Sequence, residues 1–141
     1  MNEPCLALQV VMIPRDANPQ PTRHPSGQFT AYSTIFGGIL LSYIDQAGAI
    51  GARREVIRAG GHPRVVVTVA INRVEFKKPV LVGDVVRFLT RVILMGRTSI
   101  TMRVCVEAER SLEVLQVTEA EVVFVGIDPS TPERKPTPLL P

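Results

Sequence analysis

One long apolar, glycine-bearing stretch, followed by little except strand-like sequence, constrains this chain more than any other feature. Residues Ile35–Gly61 (IFGGILLSYIDQAGAIGARREVIRAGG) carry apolar residues at Leu40, Ile44, Ala47 and Gly48, with Leu41 and Ile50 alongside. That spacing predicts a helix. Ser33 or Thr34 stands where a cap is expected, Arg53, Arg54 and Arg58 gather where the helix dipole favours cations, and Gly60-Gly61 provide a stop. The first half is apolar nearly all round, the mark of a helix buried on most faces. Gly37, Gly38, Gly48 and Gly51 lower helix propensity, so a backbone or a ligand is expected to pack closely against them.

After the helix, Arg64–Phe76, Asp84–Met95, Arg97–Glu109 and Leu112–Ile127 are dense in Val, Ile and Thr. Ile100, Met102, Val104 and Val106 fall on one face of a strand, with Thr101, Arg103 and Glu107 on or near the other. Turns at Pro79 with Gly83-Asp84, at Gly96 and at Arg110-Ser111 are short, which implies antiparallel pairing. With the earlier run Leu6–Ile13, this predicts an α+β fold: a five-stranded antiparallel sheet wrapped around one long central helix. Residues 1–128 read as one domain, with Arg15–Ser33 a long loop inside it. Residues 129–141 read as a Pro-rich tail lying extended on the surface.

The 141 residues suit a single domain with a real core. A net charge of +3 is mildly basic. It fits an anionic small molecule and is too weak to argue for nucleic acid, and the absence of Trp removes a base-stacking platform. Cys5 and Cys105 form no CxxC pair and lie far from His24 and His62, so no metal site is expected. The thiols suit a reducing cytoplasm, and no targeting segment is apparent. Ile35–Ala52 is apolar, but Asp45 within it opposes a membrane span.

Three motifs in order resemble the hotdog-fold acyl-CoA thioesterases of the bacterial short-to-medium-chain and cytosolic long-chain type. They are the helix IFGGILLSYIDQAGAIGA (35–52), the segment VVVTVAINRVEFKKPVLVGDVV (65–86) with its F-x-x-P-V-x-V-G-D turn, and GRTSI (96–100). The closing FVGIDPSTPERKPTPLLP extends the likeness to nearly the whole chain. Two departures stand out. The family's D-x-N segment, matched by Asp16-Ala17-Asn18, is separated from Phe36-Gly37-Gly38 by an insertion over 19–34, and Asn72 occupies a position that is commonly acidic. The resemblance implies a hotdog domain that hydrolyses acyl-CoA without a cofactor, coenzyme A being part of the substrate. It implies a homodimer or trimer of dimers, hence a hexamer, with no nucleic-acid or membrane partner.

Asp45 is the only charged group between Arg23 and Arg53. A carboxylate withdrawn from water in an apolar helix could act as general base on a water or as nucleophile on the thioester carbon. Gly37 and Gly38 lie where the helix begins, so their amides lack intrahelical partners and could hold an oxyanion. Thr68 is expected, from the resemblance, to face the Asp across a subunit interface. Asn18 matches the family's Asn or is a turn residue before Pro19. Phe36, Lys77, Lys78, Arg97, Thr98 and Ser99 are candidates for binding coenzyme A, the cations and hydroxyls for its phosphates. Leu41, Tyr43 and Ile44 are candidates for the acyl tunnel. A hotdog hydratase or dehydratase, and a non-catalytic acyl-CoA binder, remain alternatives. The helix lacks the His expected of the first, and the interrupted Asn segment motivates the second. A Ser-His-Asp hydrolase is excluded because no G-x-S-x-G occurs.

Overall fold

The computed structural model describes residues 3–19, 21–23, 29–31, 34–62 and 65–141. Strand β1 (Cys5–Val11) leads through a short 3₁₀ turn (Pro14–Asp16) into a two-stranded ribbon, β2 (Pro21–Arg23) with β3 (Phe29–Ala31). Helix α1 (Gly37–Arg58) follows, then β4 (Val65–Asn72), β5 (Val85–Met95), β6 (Ser99–Arg110) and β7 (Glu113–Ile127). The main sheet has the order β1-β5-β6-β7-β4 and every pairing is antiparallel. The helix contacts all five of its strands. The predicted architecture is therefore the observed one, with β1 and β4 as the two edges.

The inner face of the sheet is the alternating apolar set. Val86 and Phe88 of β5, Ile100, Met102, Val104 and Val106 of β6, and Val122 and Phe124 of β7 are all buried. They pack on Leu40, Ile44, Ala47 and Val56 of α1. Each such large side chain taken from water contributes roughly 1.5–3 kcal/mol, which makes this face the main source of stability. Two helix glycines permit the approach. A β-carbon on Gly48 would lie 2.9 Å from the Phe124 ring, and one on Gly51 would lie 2.4 Å from the Thr90 hydroxyl oxygen. Thr90 is β-branched and buried, so it has little freedom to yield. The outer face is laced with ion pairs instead, among them Arg87 with Glu109 and Glu107, and Arg103 with Glu121.

The helix ends as expected and begins differently. Gly60 adopts φ +93, and Gly61 N–H reaches back to Val56 O at 2.8 Å, closing the last turn. At the other end the N-cap is Phe36, with no side-chain cap. Thr34 is not the cap, because its backbone is engaged in a bridge to Leu81, and Ser33 lies outside the described residues.

The Pro-rich tail is largely exposed on the surface, as expected, and is anchored to the body near its end. Thr137 N–H bonds Gly126 O at 2.8 Å, Leu139 N–H bonds Arg97 O at 2.9 Å, and the Leu139 side chain is fully buried. Its carbonyl lies against Gly61, where a β-carbon would come within 2.6 Å.

Asp84, a turn marker in the sequence, is 2% exposed at the start of β5. Its carboxylate accepts Arg110 Nε at 3.0 Å, Arg110 Nη2 at 2.8 Å and the Leu81 amide at 2.9 Å. Burial alone would raise this carboxyl, but the Arg110 fork and the Leu81 amide outweigh it and hold it below the ordinary carboxylate range. A depressed folded value adds stability above the unfolded pKa, about 3.9, and that stability is lost as pH falls through the folded value. Urea midpoints of the native chain should therefore decline more steeply between about pH 5 and pH 2 than those of Asp84→Asn. Parallel curves would refute the assignment.

Candidate active site

Asp45 lies two turns into α1, on the side that faces β4. Thr68 Oγ1 donates to Asp45 Oδ1 at 2.5 Å. A β-bulge aims the threonine. Thr68 pairs with Phe124, yet Ala70 pairs with Val123, so Val69 is an extra residue between them. Up to the bulge, Thr68 shares the inner-facing register of the buried Phe124. Past it the parity flips, and Asn72 pairs with Glu121, on the outer face of the sheet. Asn72 there lines a cleft with Arg73, Arg103 and Glu121 and does not belong to the Asp45 site. The Thr68–Asp45 contact is made within one chain, which corrects the expectation that it crosses a subunit interface.

The surroundings of Asp45 are more open than the sequence suggested. Asp45 is half-buried and Thr68 is exposed. Phe36, Leu41, Val65, Val69, Ile71 and Phe76 all expose apolar surface on the helix start and on β4 and the segment after it. A hydrogen-bonded carboxylate thus sits beside a strand with an unpaired edge and an apolar border.

The helix start is well placed. Gly37 and Gly38 are its first two residues, with no intrahelical carbonyl for their amides, while the Ile39 and Leu40 amides turn to Phe36 O. A β-carbon on Gly37 would find Phe76 at 3.6 Å, and Phe76 carries Lys77 and Lys78 behind it. Both lysines are exposed, and Lys77 N–H anchors to Val117 O at 2.9 Å. Asn18 also reaches this end, because its N–H bonds Thr34 O at 2.8 Å and Ala17 bridges Ile35. The insertion over 19–34 therefore leaves and returns at one point, and the Asn18 segment still abuts Phe36.

Arg97, Thr98 and Ser99 do not join this group. Their backbone ties to Leu139, Gly126 and Gly96 put them where the tail docks, and Ser99 shares its β7 partner Val125 with Val67, so they lie two strands, roughly 10 Å, from Thr68. Arg97 lines a separate cleft there with Gly96, Pro138, Leu140 and Pro141. The tunnel candidates also divide. Leu41 is exposed near the site, Ile44 is fully buried in the core, and Tyr43 packs on Phe88 with ring centroids 5.7 Å apart.

Among the described residues no cluster of three or more His, Cys, Asp or Glu could hold a metal ion. Burial, and then the charge of Glu119, pushes the Cys105 thiol up, which suppresses its thiolate. No described helix is long and apolar enough to cross a membrane. The sequence named Asp16 in a family segment and Asp84 in a turn but did not show that both carboxylates near the helix start are buried. Their signal was present as an aspartate three residues after Ile13 and another three after Leu81, the spacing of a side chain that closes its own turn.

Residues 32–115 match the model of the thioesterase superfamily. The chain is 34% identical over 139 residues to an acyl-CoA thioester hydrolase of Salmonella typhimurium, covering 95% of this chain and 89% of that one. Among solved structures it is similar to a hexameric hotdog-fold thioesterase of Campylobacter jejuni, with 34% identity, a TM-score of 0.72, and 94% and 88% of the two chains covered. It is also similar to a hexameric thioesterase from Yersinia pestis, with 33% identity, a TM-score of 0.76, and 100% and 98% covered.

Proposed function

The chain belongs to the thioesterase superfamily, and from that premise we propose that it hydrolyses acyl-CoA to free acid and coenzyme A, with Asp45 activating the attack. The observation that carries the assignment is the Thr68–Asp45 hydrogen bond, aimed by a bulge in an edge strand. A hydroxyl donated to one carboxylate oxygen fixes the carboxylate's orientation and leaves Oδ2 to take a proton from water or to attack the thioester carbon. The Gly37 and Gly38 amides supply donors for the oxyanion, and glycine lets the carbonyl approach closely. Asn18 stands beside this helix start as a further polar contact. Phe36 offers an apolar wall, and Lys77 and Lys78 offer charge for the phosphates of coenzyme A. Arg97, Thr98 and Ser99, two strands from Thr68, can serve another part of that long substrate, or the site of a neighbouring copy.

A second copy is part of the reading. Gly37 and Asp45 are eight residues apart on α1, roughly 12 Å along its axis. One carbonyl cannot touch both from the same helix unless the side chain's tilt closes most of that gap. Pairing of two β4 edges would cover Val65, Val69 and Ile71, remove water from Asp45, and bring a second helix start to the carboxylate. Resemblance to hexameric thioesterases supports such an assembly. A monomer in light scattering at micromolar concentration would refute it.

The test is thiol release from an acyl-CoA panel from acetyl to palmitoyl. Hydrolysis of at least one chain length is the expected result. Saturable coenzyme A binding with no release across the panel would establish a binder instead, and hydration of crotonyl-CoA would establish a lyase.

A further inference from the structure

Two buried aspartates fold matching turns on either side of the helix start. Asp16, 7% exposed, accepts the Ile13 amide at 3.1 Å and closes the turn 13–16. Asp84 accepts the Leu81 amide and closes the turn 81–84. The backbone of each turn then binds one of the two residues before Gly37. Asp16 O accepts Phe36 N–H at 3.0 Å, and Val80 O accepts Ile35 N–H at 2.7 Å. The turns are also joined to each other, by Met12 N–H to Asp84 O at 3.0 Å and Gly83 N–H to Met12 O at 2.8 Å. Arg110, arriving from the end of β6, spans the second turn: its guanidinium holds the Asp84 carboxylate and, through Nη2, Pro79 O at 3.0 Å.

Phe36 has no side-chain cap; its carbonyl takes the Ile39 and Leu40 amides, so where this first turn sits in the molecule depends on what holds Ile35 and Phe36. We infer that Asp16, Asp84 and Arg110 are positioning residues, a clasp that sets the Gly37 and Gly38 amides by gripping the backbone of Ile35 and Phe36. This rests on the thioesterase reading for its functional consequence and on the geometry alone for the clasp. None of the three need touch substrate. The sheet is a rigid frame, and through Arg110 and Asp84 it transmits its position to the helix start. Misplacement of a catalytic donor by about 1 Å can cost on the order of 100-fold in rate.

The experiment measures hydrogen exchange at the Ile35 and Phe36 amides beside kcat and KM, well below the melting temperature, in the full-length protein. Arg110→Gln and Asp16→Ala should speed exchange at both amides by about tenfold or more. They should lower kcat by about 10- to 100-fold with KM little changed. Asp16→Asn keeps an acceptor for the Ile13 amide and should restore both. Arg58→Gln, which removes an ion pair at the opposite end of the helix, should alter neither. Should Asp16→Ala fail to fold, Arg110→Gln carries the test, since it leaves the Leu81–Asp84 bond in place. Unchanged exchange in folded Arg110→Gln would overturn the clasp. Faster exchange with unchanged kcat would overturn its positioning role. A native chain that hydrolyses no thioester would instead sink the functional reading, and the exchange data would still decide the clasp.

Discussion

Asp45→Ala should reduce kcat for acyl-CoA hydrolysis by about 10²- to 10⁴-fold, the range that a general base contributes, while the protein stays folded. Both halves of that expectation come from the surroundings of the carboxylate. It is half-buried, and the hydroxyl that donates to it belongs to an exposed residue, so its loss strands no buried donor. Alanine is also the better helix former at this position. Thermal stability should therefore change by less than about 1 kcal/mol. Thiol release from the best substrate, measured beside a melting curve, separates loss of chemistry from loss of fold. Turnover within tenfold of the native chain would remove Asp45 from the mechanism. Thr68→Val should fall between the two, since it takes away the orienting hydrogen bond and leaves the base.

A large effect on stability outside the helix and the sheet is expected at Leu139, which is fully buried. Truncating a fully buried leucine typically costs about 2–5 kcal/mol, and Leu139→Ala should fall in that range if the tail stays docked. An upper limit applies, because the tail can detach once its cost of docking exceeds its contribution. Beyond that point further truncation should add nothing. Urea unfolding of Leu139→Ala and of a chain ending at Ile127 measures both numbers. A change below about 0.5 kcal/mol in both would show the tail to be energetically idle.

The fold was legible because its signals are strong and redundant. Helical spacing from Leu40 to Ala47, alternation along Ile100 to Val106, and short glycine turns each pointed to the same layered arrangement. The anchoring of the tail was not legible because proline and charge dominate its composition, while the anchor depends on backbone bonds to Arg97 and Gly126 and on one leucine. Asp45 was legible as an isolated charge in an apolar helix. Its partner Thr68 was named from family likeness but placed across the wrong boundary. A bulge at Val69 decides which face Thr68 and Asn72 occupy, and residue alternation cannot reveal an extra residue in one strand. The burial of Asp16 and Asp84 was not legible because a turn-forming aspartate looks the same in sequence whether it is solvated or sealed.

The pinch formed by Ala17 with Ile35 and Asn18 with Thr34 has a consequence for how this scaffold tolerates change. Antiparallel partners stand only about 5 Å apart, so whatever chain runs between them begins and finishes at the same spot. Closure entropy rises only as the logarithm of length, by about 0.6 kcal/mol for each doubling. The stretch between the pinched residues is therefore a natural place for this domain to gain, shed or exchange sequence while the catalytic frame stays where it is.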